Sequence, residues 1–180
     1  MTASSLYNMV DSIFIGHGVG ALAISGLALT FPLMNLAAAF GSLVGVGAAT
    51  LVSMRLGQRD YETAQRILGN VVVLNLIIGI SFGLLTLVFL DPILYFFGAS
   101  DATIGYAREY MSVILWGNVV THMYLGLNAV LRAAGHPRKA MYATILTVTI
   151  NAILDPLFIF GFGWGIRGAA IATVLAQILA

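Results

Sequence analysis

Residues 67–90 read ILGNVVVLNLIIGISFGLLTLVFL and contain no charged side chain. A helix of about 20 residues crosses a hydrocarbon core of roughly 30 Å, so this stretch is long enough to span a bilayer. Formal charges are also absent from residues 12–54 and 110–131. A fourth apolar stretch covers residues 140–160 and is interrupted only by Asp155 and Pro156. We therefore expect the chain to cross a membrane several times.

The composition agrees with this expectation and excludes several classes of protein. Of the 180 residues, 60% are hydrophobic and only 8% are charged, whereas an ordinary soluble domain is roughly 25% charged. Too few polar groups are present to cover a soluble globule, which excludes a soluble enzyme and a disordered tail. The net charge of +1 offers no electrostatic footprint for nucleic acid. Because cysteine is absent, there are no disulfides, thiolate nucleophiles or thiolate metal sites.

Six helices are expected, and the first and last are expected to be cut short because neither can span a bilayer unaided. The predicted fold class is therefore an all-α integral membrane bundle of six transmembrane helices, in a chain that we expect to be a fragment. The predicted helices cover residues 1–15, 21–53, 67–90, 108–132, 139–160 and 168–180.

The loops predict the orientation of this bundle. The loops after the second and fourth helices hold most of the basic residues, which are Arg55, Arg59, Arg66, Arg132, Arg138 and Lys139. The alternate loops hold only Arg108 and Arg167. Since short cytoplasmic loops carry the excess of Lys and Arg, we place both basic loops and the N-terminus in the cytoplasm. Within the second helix, Gly41 and Gly45 form a GxxxG pattern, which we interpret as a device for close helix packing.

Two carboxylates, Asp11 and Asp155, lie inside expected spans. An ionisable group there costs a few kcal/mol or more, so each is a functional candidate by default. Asp11, Asp155 and Thr173 each lie about five or six residues from the glycine where their helix is expected to meet the outer boundary. At 1.5 Å per residue, all three lie roughly 7–9 Å below that boundary. We therefore expect these side chains to share one layer.

Asn151 joins this layer because it lies one helical turn before Asp155, on the same helix face. Two carboxylates, an amide oxygen and a hydroxyl at one depth form an all-oxygen cluster, and hard cations such as sodium prefer oxygen ligands. The cluster is equally suited to a proton, because burial and a neighbouring carboxylate both favour the neutral form of an aspartate. The alternative is that Asp155 is only a turn residue before Pro156 and that Asp11 lies in the membrane interface.

The fourth helix carries a second polar stripe, formed at helical spacing by Tyr110, Asn118, Thr121 and Asn128, with His122 beside it. This stripe either lines a substrate cavity or makes routine hydrogen bonds inside the bundle. No ligand-type side chains have the spacing of a transition-metal site. Asp11 and Asp155 formally resemble an aspartyl protease dyad, but the glycine-rich setting of such a dyad is missing, and we predict that the protein is not an enzyme.

Three strings in the sequence resemble one transporter family. They are YNMVDSIFIGHGVGALAISGLA (residues 7–28), LVSMRLGQRDYETAQR (51–66) and AVLRAAGHPRKAMYATILTVTINAILDPLFIFGFGWGIRGAAIATVLAQ (129–177). They resemble the first helix, the loop after the second helix and the region of helices four to six of the multidrug and toxic compound extrusion (MATE) family. The pattern resembles the prokaryotic DinF-like branch more than the NorM-like branch, and the likeness extends over essentially the whole chain.

This resemblance implies a twelve-helix antiporter of two six-helix lobes that exports organic cations in exchange for sodium or protons by alternating access. Residues 1–180 correspond to its N-terminal lobe, so the implied partners are small organic cations, the lipid bilayer and a C-terminal lobe missing from this chain. The implied location is the cytoplasmic membrane of a bacterium or archaeon, and no cofactor is implied beyond the coupling ion. By the match, Asp11, Asn151, Asp155 and Thr173 form the cation or proton site, and Tyr7, Tyr110 and Asn128 belong to the surrounding hydrogen-bond network and cavity.

Two other functions stay open. A lipid-linked oligosaccharide flippase of the same superfamily is expected to carry basic residues inside a central cavity, and no Arg or Lys lies in the middle of a predicted span. A non-transporting membrane subunit has no need of buried carboxylates.

Overall fold

A computed structural model describes residues 2–180, with side chains described for residues 9 and 11–180. All secondary structure within that part of the chain is helical, so the expected all-α class is confirmed. A short π-helical turn, Leu157–Gly161, continues the seventh helix. The helices are α1 (Thr2–Gly18), α2 (Ala21–Gly57), α3 (Tyr61–Val88), α4 (Leu90–Phe96), α5 (Ile104–Trp116), α6 (Asn118–Ala133), α7 (Pro137–Pro156) and α8 (Gly165–Leu179).

Three helices are long and apolar enough to cross a membrane: α2, α3, and α7 with its π-helical turn. The pair α5 and α6 meets the same criterion only when taken together, and α8 is apolar but shorter. Apolar side chains also cover the outside of the bundle. On α3, for example, Val73, Leu84 and Leu85 are 56%, 54% and 63% exposed, as expected for a surface that contacts lipid acyl chains rather than water.

The prediction of one continuous helix over residues 108–132 is wrong. The chain bends by 57° between α5 and α6, at Gly117. Gly117 packs against the side chain of Val174 on α8, and a Cβ atom at this position would collide with it. The bend therefore depends on a contact between distant parts of the sequence. A single glycine without a neighbouring proline did not indicate it.

The helix α3 begins before residue 67, the predicted start, because Asp60 caps its N-terminus. The Asp60 carboxylate accepts a hydrogen bond from the backbone N–H of Thr63 at 3.1 Å, which is the usual N-cap arrangement. Hydrogen bonding from Thr63 holds the pKa of the Asp60 carboxyl below its ordinary value.

Glycine allows α2, α3 and α6 to approach closely. Gly41 and Gly45 of the GxxxG pattern both face α6, where they meet His122 and Gly126. A Cβ atom on Gly45 would lie 2.5 Å from the Cα atom of Gly126, closer than two carbon atoms can pack. In lipid, this kind of backbone approach takes the place of the hydrophobic effect in holding helices together.

We therefore expect Gly45→Ala to force α2 and α6 apart and to destabilise the protein by about 1–3 kcal/mol, the usual cost of overpacking. The matched control is Gly47→Ala on the same helix, because nothing lies within 4 Å of a Cβ atom at that position. The measurement is the apparent Tm of the purified complete protein in detergent. Equal Tm values for the two variants would contradict the packing role of Gly45.

Candidate functional site

Four helices bring buried polar side chains together in the interior of the bundle. Asp11 comes from α1, Tyr110 from α5, Asn151 and Asp155 from α7, and Thr173 from α8. All five are buried, and the two aspartates have no exposed surface at all. The structure therefore brings together the four residues predicted to share a layer and adds Tyr110 to them. It does not support the alternative in which Asp11 lies in the interface and Asp155 is only a turn residue.

Hydrogen bonds connect these side chains across the helices. The Thr173 hydroxyl donates to Asp11 Oδ2 at 3.3 Å, and the Tyr110 hydroxyl donates to the same oxygen at 3.4 Å. The Asn151 amide Nδ2 lies 3.2 Å from Asp155 Oδ1 and 3.4 Å from Thr173 Oγ1. Thr173 thus contacts Asp11 directly and Asp155 only through Asn151, and the two carboxyl groups also contact each other.

Three oxygens of the cluster accept no hydrogen bond from any described residue: Asp11 Oδ1, Asn151 Oδ1 and Asp155 Oδ2. The ion pairs formed within the described residues lie elsewhere, so no basic side chain neutralises either aspartate. An uncompensated buried charge is very costly. Two buried carboxyl groups with free oxygens and no counter-charge are chemically suited to take up a proton or a small hard cation.

The backbone of α7 changes its winding immediately after Asp155. Pro156 has no N–H and cannot continue the α-helical hydrogen-bond ladder. The chain widens into the π-helical turn Leu157–Gly161, a local geometry frequent at functional sites. Gly168 lets α8 approach this turn closely, because a Cβ atom there would lie 3.0 Å from the backbone of Phe158. The short distance between α7 and α8 brings Thr173 within reach of Asn151.

The residues of the second polar stripe lie in two different parts of the structure. Asn118, Thr121 and Asn128 line a cavity of about 430 Å³ bounded by α2, α6, α7 and α8. Tyr110 does not line it; it contacts Asp11 instead, because the bend at Gly117 turns α5 away from the axis of α6. Within the cavity wall, Thr121 donates to Gln177 Oε1 at 2.7 Å and Asn128 donates to the Ala140 carbonyl at 3.1 Å. Tyr7, the remaining predicted residue, has a side chain outside the described residues.

Sequence reasoning missed several cavity residues on α6 and α7. Thr147 donates to the Tyr124 hydroxyl at 3.1 Å, and Tyr124 donates to Thr144 at 3.4 Å. With Asn151 and Asp155, the two threonines form one polar stripe at helical spacing along α7. That periodicity was available in the sequence and connects the cavity wall to the buried carboxylates.

A separate buried polar cluster lies between α3 and α6. The ring Nδ1 of His122 lies 2.9 Å from the Asn118 carbonyl oxygen, and the Asn118 amide donates to the Gly79 carbonyl at 3.0 Å. His122 Nε2 and both amide atoms of Asn75 have no partner among the described residues. Asn75 was missed because the residues one helical turn away from it, Val71, Val72, Ile78 and Gly79, are not polar.

Comparisons with known proteins agree with this architecture. The sequence profile of the MatE family matches residues 1–157. The multidrug export protein MepA of Staphylococcus haemolyticus (strain JCSC1435) is 32% identical over 177 residues, which are 98% of this chain and 39% of that protein. The MepA protein of Staphylococcus aureus (strain NCTC 8325 / PS 47) is 31% identical over the same shares of the two chains.

Solved structures of MATE transporters match the fold closely. A crystal structure of MATE in the bent conformation superposes with a TM-score of 0.94 at 32% identity, over 99% of this chain and 40% of that one. An outward-facing MATE family transporter of the MOP superfamily superposes with a TM-score of 0.91, also over 99% and 40%. The chain thus spans about two fifths of the length of these relatives, and its fold corresponds to one lobe of a MATE-type transporter, as expected. The chain belongs to the MatE family, which confirms the resemblance drawn from its sequence.

Proposed function

We propose that the complete protein is an antiporter that exports organic cations in exchange for sodium ions or protons, which bind at Asp11 and Asp155. Membership of the MatE family supports export as the function, and the staphylococcal relatives are named multidrug export proteins. The location that fits this role is the cytoplasmic membrane of a bacterium or archaeon, with the N-terminus in the cytoplasm. The partner of the lobe described here is the second lobe of the complete protein.

The pair of buried carboxyl groups is the observation that carries this proposal. Asp11 and Asp155 lie on different helices, are fully buried and contact each other, and one oxygen of each receives no hydrogen bond from the other described residues. Two such groups are not both stable as anions in an apolar interior. A proton or a sodium ion removes the excess charge, so the occupancy of the site follows the ion gradient across the membrane.

Ion binding at this place biases the conformation of the lobe. The ion contacts α1 through Asp11 and α7 through Asp155, so it stabilises arrangements that hold these helices together. An ion shifts a conformational equilibrium only if its affinity differs between the two states, and repulsion between the empty carboxylates supplies this difference. Relatives have been solved in inward-facing and outward-facing conformations, with which this chain superposes at TM-scores of 0.92 and 0.91.

The cavity beside the site is a suitable place for one face of an organic substrate. Its wall combines hydroxyl and amide groups with Met34, Met141 and Leu125. Apolar surface with a few polar groups is typical of small-molecule sites, and flexible methionines adapt to substrates of different shape. The second lobe supplies the facing wall.

One observation favours the flippase as a second candidate. Arg132 lines the end of the cavity and is its only charged lining residue among those described, whereas a carboxylate is the expected partner for an organic cation. A solved relative from Pyrococcus furiosus, superposing at a TM-score of 0.91, is described as having a binding pocket of reverse polarity that suggests a different function. Arg132 suits an anionic group such as the pyrophosphate of a lipid-linked sugar.

The central test is Asp155→Asn in the complete transporter, expressed in efflux-deficient bacteria. We expect export of a fluorescent organic cation to fall at least about tenfold, because the pair loses the charge that binds the coupling ion. Imposed sodium and proton gradients, applied separately, identify that ion. Asp101→Asn is the matched control, because Asp101 is exposed and only accepts a hydrogen bond from Tyr95. Normal coupled export by Asp155→Asn would overturn the proposal, and no wild-type export under either gradient would favour the flippase.

A second test concerns the Thr173 hydroxyl group, which donates a hydrogen bond to Asp11. Thr173→Val keeps the shape of the side chain and removes its hydrogen bond to Asp11. The loss of one buried hydrogen bond of about 1 kcal/mol corresponds to roughly a fivefold weaker apparent affinity for the coupling ion. The measurement is export rate against sodium or proton concentration. Thr149→Val is the control, because the Thr149 hydroxyl is exposed and bonds only to its own helix; equal effects of the two substitutions would exclude a role for Thr173 in the site.

A further inference from the structure

Four of the eight Arg and Lys residues are paired with carboxylates among the described residues. At the predicted outer face, Arg108 donates to Asp91 through Nε and Nη2, and Arg167 pairs with Glu109 at 3.1 Å. In the basic turn between α2 and α3, Arg55 lies 3.7 Å from Asp60, and Arg66 lies 2.6 Å from Glu62. The two cations of the predicted outer face are therefore compensated within the chain, and in the turn between α2 and α3 Arg59 alone has no ion-pair partner among the described residues.

The turn between α6 and α7 is different. Arg138 and Lys139 lie in the first turn of α7, and Arg132 lies in the last turn of α6. None of the three has an ion-pair partner among the described residues. The sequence contains no Asp or Glu between residues 110 and 154, so neither of these helices supplies a carboxylate near the turn. Residues 135–139 line a shallow depression that is open to the surroundings. The turn thus combines an accessible surface with uncompensated positive charge.

The backbone of α7 adds to the positive electrostatic potential at this turn. The helix α7 begins with Pro137, and no side chain caps its N-terminus. Helix N-termini carry a partial positive charge and attract anions. The turn is also held in place, because the Ser53 hydroxyl at the end of α2 donates to the Ala133 carbonyl at 2.9 Å.

The position of the turn identifies the kind of anion. The spanning segment Pro137–Gly161 starts here, so the turn lies at a membrane surface. One turn further along α7, Tyr142 is 63% exposed, and Ile145 is 53% exposed beyond it. An amphipathic ring beside the charged turn and an aliphatic side chain beyond it match the boundary between lipid headgroups and acyl chains.

We propose that Arg138 and Lys139, with the uncapped N-terminus of α7, bind the phosphate of an anionic phospholipid such as phosphatidylglycerol. The two cations contact the phosphate oxygens, and Tyr142 and Ile145 contact the start of the acyl chains. A zwitterionic lipid carries a compensating ammonium group and gains less from this uncompensated positive surface. The negative charge of the bound lipid compensates these two cations, as carboxylates of the chain compensate the paired cations elsewhere.

The test measures binding of phosphatidylglycerol to the purified complete transporter by native mass spectrometry from detergent micelles. We expect tighter binding of phosphatidylglycerol than of phosphatidylcholine. Each interfacial cation contributes about 1 kcal/mol, or roughly fivefold in affinity. The double variant Arg138→Gln/Lys139→Gln should therefore bind phosphatidylglycerol about 25-fold more weakly, with little change for phosphatidylcholine.

The matched control is Arg55→Gln/Arg66→Gln, which removes two cations from the other basic turn, where both are already paired. Equal losses in the two double variants would overturn the proposal, because general surface charge would then explain binding. Equal affinity of the wild type for both lipids would also overturn it, as would displacement of phosphatidylglycerol by inorganic phosphate at the same concentration. The experiment does not involve transport, and Asp155→Asn should bind lipid normally, so its outcome is independent of the proposed antiport.

Discussion

Two fully buried carboxyl groups without a basic partner are the constraint around which this bundle is built. Asp11 and Asp155 come from opposite ends of the chain, and neither is tolerable as an isolated charge in an apolar interior. The neighbouring hydroxyl and amide groups of Tyr110, Asn151 and Thr173 provide hydrogen bonds, yet one oxygen of each carboxyl group receives no hydrogen bond from these groups. Buried atoms without a partner also occur at His122 and Asn75, but among the described residues only this site leaves carboxyl oxygens unsatisfied.

The rest of the lobe divides according to how its helices are held together. The helices α2, α3 and α6 meet through glycine contacts in which backbone touches backbone, as at Gly45 and Gly126. Such interfaces leave little room for adjustment. The helices α1, α7 and α8 meet through polar contacts around Asp11 and Asp155 and also through a close approach at Gly168, and Pro156 interrupts α7 beside Asp155. The two buried carboxyl groups therefore lie in the part of the lobe formed by α1, α7 and α8.

Charged side chains at the surface of the lobe are distributed differently from the carboxyl groups in its interior. The predicted outer face and the turn between α2 and α3 hold ion pairs that are exposed and individually weak. The turn between α6 and α7 keeps its positive charge at one end of the cavity. The carboxyl groups of Asp11 and Asp155 are thus buried inside the lobe, while the ionisable groups at the α6–α7 turn are exposed and basic.

Much of this organisation could be predicted from the sequence, and particular residues show which parts could not. The common depth of Asp11, Asp155 and Thr173 was predictable because a regular helix rises by a constant amount per residue. The polar stripe of Thr144, Thr147, Asn151 and Asp155 was also readable, since helical periodicity places these residues on one face. The assignment of Tyr110 to the same stripe as Thr121 and Asn128 failed because the chain bends at Gly117.

The sequence by itself determined the fold class, the grouping of Asp11, Asp155 and Thr173 at one level of the bundle and the concentration of positive charge in two turns, because these depend on composition and local periodicity. Only the tertiary structure decided which helix faces meet. The bend at Gly117 depends on Val174, the close approach of α7 and α8 depends on Gly168, and Asn75 faces α6 only because Gly126 leaves room for it. Each of these contacts joins residues distant in the chain, and the rotation and bending of helices in lipid are fixed by such packing rather than by the local sequence.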